Sequence, residues 1–138
     1  TSEIAADVPI LISSIGTPTI ESKMTVTQNF EISDLNVPQV RGSHDWVSHI
    51  RTTLVSPAGT TAILFERKCP GSVPFSLGFD DESPSELPCP PIGGALHQPK
   101  EPLSVFDGES TFGEWILRIE VTDGFGEGGS LDEWSLEF

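Results

Sequence analysis

An all-β fold, an antiparallel sandwich or jelly roll of about eight short strands, is what this sequence of 138 residues predicts. Three observations carry the prediction. Short runs that alternate apolar and polar residues recur along the chain, with Gly, Pro and Asp clusters between them. No apolar spacing of three and four persists long enough to mark an amphipathic helix. The closing stretch, GEWILRIEVTDGFGEGGSLDEWSLEF, sets two alternating runs around a glycine-rich loop.

Taken in order, "VPILISS" is a short β-rich run followed by the turn-like "IGTPT". "SKMTVTQNFEISDLNVPQV" reads as two strands, with Met24, Val26 and, further on, Phe30 on one face, and a further strand starting at Asp34-Leu35-Asn36-Val37. "WVSHIRTTLVSPAGTTAILFERK" holds a long strand, a turn at Ser56-Pro57-Ala58-Gly59, and a second strand. "FSLGFDDES" is a strand running into an acidic tip, residues 83–102 form a proline-rich loop, and "PLSVFDGEST" leads to the terminal pair. There Trp115, Leu117, Ile119 and Val121 share one face, opposite Ile116, Arg118 and Glu120. Trp134, Leu136 and Phe138 share a face opposite Ser135 and Glu137, so Trp115 and Trp134 are assigned to the core. The loop from Thr122 to Ser130 is too long for a two-residue hairpin turn, and its four glycines suit bends with positive φ. The final strand is expected to close a domain, and residues 1–138 are read as one domain with no internal repeat.

The net charge is −14, from 21 acidic and 7 basic residues. Such a surface disfavours nucleic acid and anionic lipid, which bind through Lys and Arg clusters. Nothing approaches the ~18 consecutive apolar residues of a membrane-spanning helix. No basic-then-apolar leader opens the chain, so an export signal is expected to have been removed or to belong to a larger precursor. Cys69 and Cys89 lie in "RKCPGSVPF" and "ELPCPPIGG"; the prolines and carboxylates around both favour a disulfide over two reduced, buried thiols. A disulfide implies an oxidising compartment.

A nucleophilic catalytic set is hard to find. "GSHD" supplies Ser43, His44 and Asp45 together, but consecutive residues on an extended chain point to alternating faces and cannot bond in series as a triad does. The odd separation of His44 and His49 places them on opposite sides of a strand, and His97 lies in the proline loop, which argues against a histidine-ligated metal. Carboxylates are the better lead. Asp80, Asp81 and Glu82 in "FDDES", Asp107 and Glu109 in "FDGES", and Asp123 and Glu127 in the last loop suit calcium, which takes six to eight oxygens from loop carboxylates, carbonyls and water. The ordinary alternative is a set of solvated turns.

The order "ISDLNV", a His-x-Trp segment, "SPAGT", "FDDES", "LSVFDGES", "GEWILRIEVTD" and "GGSLDEWSLEF" resembles the P domain, or P/Homo B domain, of kexin- and furin-like proprotein convertases and of secreted bacterial proteases. The likeness runs from Val8 to Phe138. It is strongest in the terminal G-x-W-x-L…G-x-L-x-x-W-x-L, carried by Gly113, Trp115, Leu117, Gly129, Leu131, Trp134 and Leu136. The resemblance implies a galactose-binding-like jelly roll that is not catalytic. It further implies a domain that packs on a secreted protease, stabilises or regulates it, and is linked to calcium. Asp34, Asp80 and Asp81 match the family pattern and, with Glu82, Asp107 and Asp123, are the calcium-ligand candidates. The sequence departs from the pattern at two places. Many relatives place Asp before the first apolar residue of the strand after His-x-aromatic, where this chain has His49. Relatives place Asp before the glycine of G-x-L, where this chain has Glu127.

Two functions follow as expectations: an accessory domain docked on the catalytic domain of the same precursor, or an independent module that holds its parent enzyme near insoluble protein or polysaccharide. Exposed aromatics at a loop tip favour binding, and Trp46 and Phe125 are the candidates, with core packing the competing role for Trp46.

Overall fold

The computed structural model describes the backbone of residues 1–138 and every side chain except those of residues 94 and 95. Alternation becomes ten strands: β1 (Ser2–Ile4), β2 (Ile10–Ile12), β3 (Thr19–Val26), β4 (Asn36–His44), β5 (Ile50–Val55), β6 (Thr61–Glu66), β7 (Pro74–Phe79), β8 (Ile92–His97), β9 (Gly113–Val121) and β10 (Gly129–Glu137). They form a sandwich of two sheets. One runs β1-β10-β4-β7-β8, with β2 also paired to β10, and the other runs β3-β9-β5-β6. The all-β sandwich is as expected.

The details differ in four places. There are ten strands, not about eight, because β1 and β2 are short pieces sharing one edge of β10. The proline-rich stretch contains β8, which places His97 in a strand and buries it. "WVSH" opens with a 3-10 turn, Val47–His49, and "PLSVF" holds another, Leu103–Phe106. Phe30 lies outside β3, half-exposed and edge-on to Phe138. The pairing is antiparallel except between β7 and β8. A parallel neighbour needs a crossover of about a dozen residues, and the acidic, proline-rich segment after β7 supplies it. The bridge Cys69–Cys89, with Cα atoms 5.2 Å apart, ties the loop between β6 and β7 to that crossover.

The core lies between the sheets. Trp115, Leu117, Ile119 and Val121 on β9 face Leu131, Trp134 and Leu136 on β10, and all are buried. Both indoles are fully buried, so each N–H needs a partner. Trp115 Nε1–H donates to the Thr111 carbonyl at 2.9 Å, and Trp134 Nε1–H donates to Ser22 Oγ at 2.6 Å. Ser22, on β3 of the opposite sheet, in turn donates to Asp7. The two motif glycines have steric causes. Gly113 adopts φ +124°, and a Cβ at Gly129 would stand 2.0 Å from the Ser43 carbonyl of β4.

At the edge of the smaller sheet, Glu66 on β6 joins Arg51 of β5, with Nε 2.5 Å from its carboxylate, to Lys100 of the segment that covers β6. The Lys100 hydrogen bond first, and then that of Arg51, hold the Glu66 carboxyl below the usual carboxylate range.

Trp115→Ala is expected to destabilise the protein by about 3–5 kcal/mol, the cost of emptying a buried aromatic site, read by urea denaturation. A variant melting with the parent would place Trp115 outside the core. A second expectation concerns pH. Because the folded value of Glu66 is depressed, its contribution is fully present above the unfolded value and is lost as pH falls through the folded one. Glu66→Gln should therefore cost about 1 kcal/mol at neutral pH and flatten the loss of stability in acid, as measured by thermal melts across that range.

Candidate functional site

Four loops meet at the end of the sandwich where β4 finishes and β10 begins: residues 13–17, 45–49, 67–73 and 122–128. Backbone bonds lace them together. Asp45 N–H donates to the Gly128 carbonyl at 2.9 Å, Val47 N–H to the Ser72 carbonyl at 2.9 Å, and Thr122 N–H to the His49 carbonyl at 2.7 Å. Gly124 lies against Gly16 and Thr17, where an added Cβ would stand a tight 3.0 Å from the Gly16 carbonyl oxygen. The histidine that ends β4 is fully buried, and its Nδ1–H donates to the Trp46 carbonyl at 2.8 Å, which fixes the backbone that carries Trp46. Asp45 accepts the Gly128 N–H at 3.0 Å. His44 and Asp45 are thus committed to holding loops and do not act in series with Ser43.

His49 stands at the centre of this end. Its Nδ1 bonds the Glu127 carboxylate at 2.8 Å, its Nε2 lies 3.5 Å from Asp123, and Arg67 reaches the same Asp123 oxygen at 3.5 Å. The two places where the sequence departs from the P-domain pattern, His49 and Glu127, are hydrogen-bond partners. The imidazole also lies between two aromatic rings, with Trp46 at 5.8 Å and Phe125 at 5.6 Å between centroids. Trp46 is 40% exposed and Phe125 is 75% exposed, so the two aromatic candidates come together at the surface. Sequence reasoning named both rings. It missed that His49 joins them, because in the chain His49 reads only as a rejected metal ligand and an unmatched family position.

The six calcium-ligand candidates do not converge on one point. Asp34, Asp80 and Glu82 lie at the opposite end. There the Glu82 carboxyl is raised from its ordinary range by a hydrogen bond with Asp80 and by the charges of Asp34 and Asp80. Asp81 instead accepts the N–H groups of Leu103 at 2.7 Å and Ser104 at 2.8 Å, capping the 3-10 turn. Asp107 closes that turn, and Asp123 sits with His49 and Arg67 at the far end. Among the described residues no three His, Cys, Asp or Glu side chains are grouped to hold a metal ion. The oxygens needed for a divalent cation are therefore not preassembled. Glu109, the other carboxylate of "FDGES", accepts a hydrogen bond from Ser56 Oγ at 2.7 Å.

A sandwich with one disulfide between loops, and with its polar loop residues holding those loops in place, defines a class: a β-module of the kind that oxidising compartments contain. Within that class the chain belongs to the proprotein convertase P-domain family, whose family model matches residues 33–138. A chain of the crystal structure of the Aeromonas sobria serine protease in complex with the chaperone is similar in fold. It has a TM-score of 0.60 and 18% identity over 99% of this chain and 26% of that one. A crystal structure of the serine protease of Aeromonas sobria is similar too, with a TM-score of 0.52 and 17% identity over 94% of this chain and 27% of that one. The chain spans about a quarter of the length of these neighbours. No curated protein matches it.

Proposed function

We propose that this chain is the non-catalytic accessory domain of a secreted protease, docking on its catalytic domain and stabilising or regulating it. The observation that carries the reading is membership of the P-domain family across residues 33–138. The fold likeness to a segment making up 27% of a serine protease supports it, since that share leaves room for a separate catalytic unit. The use of His44 and Asp45 as loop clamps supports a role without chemistry of its own. The bridge between Cys69 and Cys89 supports export to an oxidising medium. In the full-length polypeptide that carries this segment, deleting the domain is expected to lower the yield and melting temperature of the catalytic part. The isolated domain should cleave no protein substrate. Unchanged yield and melting after the deletion would overturn the reading.

Calcium has a place in it at Asp34, Asp80 and Glu82. The charges of Asp80 and Asp34 disfavour the ionised Glu82, and a cation that drew these carboxylates together would offset that repulsion. Millimolar calcium should raise the melting temperature above that in EDTA, on the scale of sites built from exposed loops, and Asp80→Asn should reduce the rise. Equal melting in both media removes calcium from the reading.

One observation favours a second function. Trp46 and Phe125 lie together at the surface, as a module that tethers its parent enzyme to insoluble protein or polysaccharide would have them.

A further inference from the structure

Trp46, His49 and Phe125 form a continuous strip of rings at the loop end. Successive planes are inclined by 35° and 43°, and the outer two rings are open to solvent. The other two tryptophans are fully buried, so Trp46 is the indole that meets water. Ile15, in the loop packed on Gly124, extends the same end with an exposed apolar side chain. Carboxylates border the strip: Glu127 and Asp123 face His49, and Asp45 secures the base of the 122–128 loop. Arg67 reaches Asp123 and Lys68 follows it in the chain, so the carboxylates of Glu127, Asp123 and Asp45 stand against these two cations.

We infer that this strip is a docking site for arginine and lysine side chains on an extended segment of a partner protein. An aromatic face carries a negative quadrupole that attracts a cation, and the flanking carboxylates add to the attraction. The whole chain points the same way. Its charge of −14 steers basic partners toward it and repels acidic ones. A polysaccharide fits less well, because stacked sugars favour a coplanar row of rings and gain nothing from the surplus negative charge. The inference rests on the second reading, that the aromatic end binds something, and not on the accessory role.

The test is an NMR titration of the 138-residue protein. The probes are a peptide of alternating arginine and glycine, its glutamine–glycine counterpart, and chitohexaose. The arginine peptide should shift the Trp46 indole N–H and the His49 and Phe125 ring signals, and the shifts should weaken with added salt. The glutamine peptide should leave them in place. Phe125→Ser keeps the net charge and alters an exposed ring, so it should remain folded and bind about fivefold more weakly, the worth of one exposed cation–π contact. Trp46→Ser is the second variant, with thermal melts confirming that each is folded. Equal affinity of the folded variants and the parent would mean attraction to the acidic surface at large, and would overturn the inference. Equal shifts with the glutamine peptide would do the same. Shifts with chitohexaose alone would keep the surface and discard the cationic ligand, and silence with every probe would remove both.

Discussion

The structure depends on burying two indoles without stranding their N–H groups. Trp115 and Trp134 fill the space between the sheets, and an unpaired N–H in that interior would cost about 1–3 kcal/mol. Each finds its acceptor in a different way. Trp115 uses the carbonyl of Thr111, just ahead of its own strand, so the turn before β9 is fixed by the ring that follows it. Trp134 reaches across the sandwich to Ser22, and the Ser22 hydroxyl in turn donates a hydrogen bond to Asp7 between β1 and β2. The same carboxylate accepts the Lys23 N–H at 2.8 Å. One polar chain thus links the last strand, an edge strand of the other sheet and the N-terminal segment.

That frame explains why the terminal motif has the residues it has. A sandwich whose central strands are β10 and β9 needs aromatics facing inward there. It also needs glycines where the backbones of β4 and β10 approach too closely for a Cβ. The loop between the two strands is held at its ends by Thr122 and Gly128 and in its middle by the Asp123 and Glu127 contacts with His49. Across 78 positions of chain the Glu127 carboxylate reaches the His49 imidazole at 2.8 Å, so this contact ties the last loop to the turn before β5.

The long, strictly alternating runs were legible in the sequence, because the two-residue period of β9 and β10 survives in their side chains. So was the turn at 56–59, where Ser56 N–H and Gly59 N–H donate to the Thr60 and Ser56 carbonyls. β8 was not legible. It is flanked by prolines and starts Ile-Gly-Gly, with little β propensity of its own, and it is a strand because β7 offers it an edge. The three residues of β1 carry too little pattern to read. Among site residues, the cysteines could be paired from their surroundings, since prolines and carboxylates suit a bridge near the surface. Asp81 could not be placed, because a carboxylate that caps a turn looks in sequence like one that binds an ion. The placement of Trp46 and Phe125 on either side of His49 was illegible for a topological reason: they share one end only because β4 and β10 are neighbours, and no local pattern encodes that.

The geometry also separates the two ends by task. Thr1 and Phe138 bond each other, and β1 pairs with the last residues of β10, so both termini lie at one end of the sandwich. Glu137 pairs with Asn36, which places the Asp34–Asp80–Glu82 rim beside them. β10 has nine residues, about 30 Å at the rise of an extended strand, and the aromatic strip lies beyond its far end. A polypeptide continuing from either terminus therefore starts next to the acidic rim, where a cation or a docked neighbour can relieve the crowded charge. The strip of Trp46, His49 and Phe125 faces away from that junction. The acidic rim and the aromatic strip thus occupy opposite ends of the sandwich, so the two proposed roles need not share one surface.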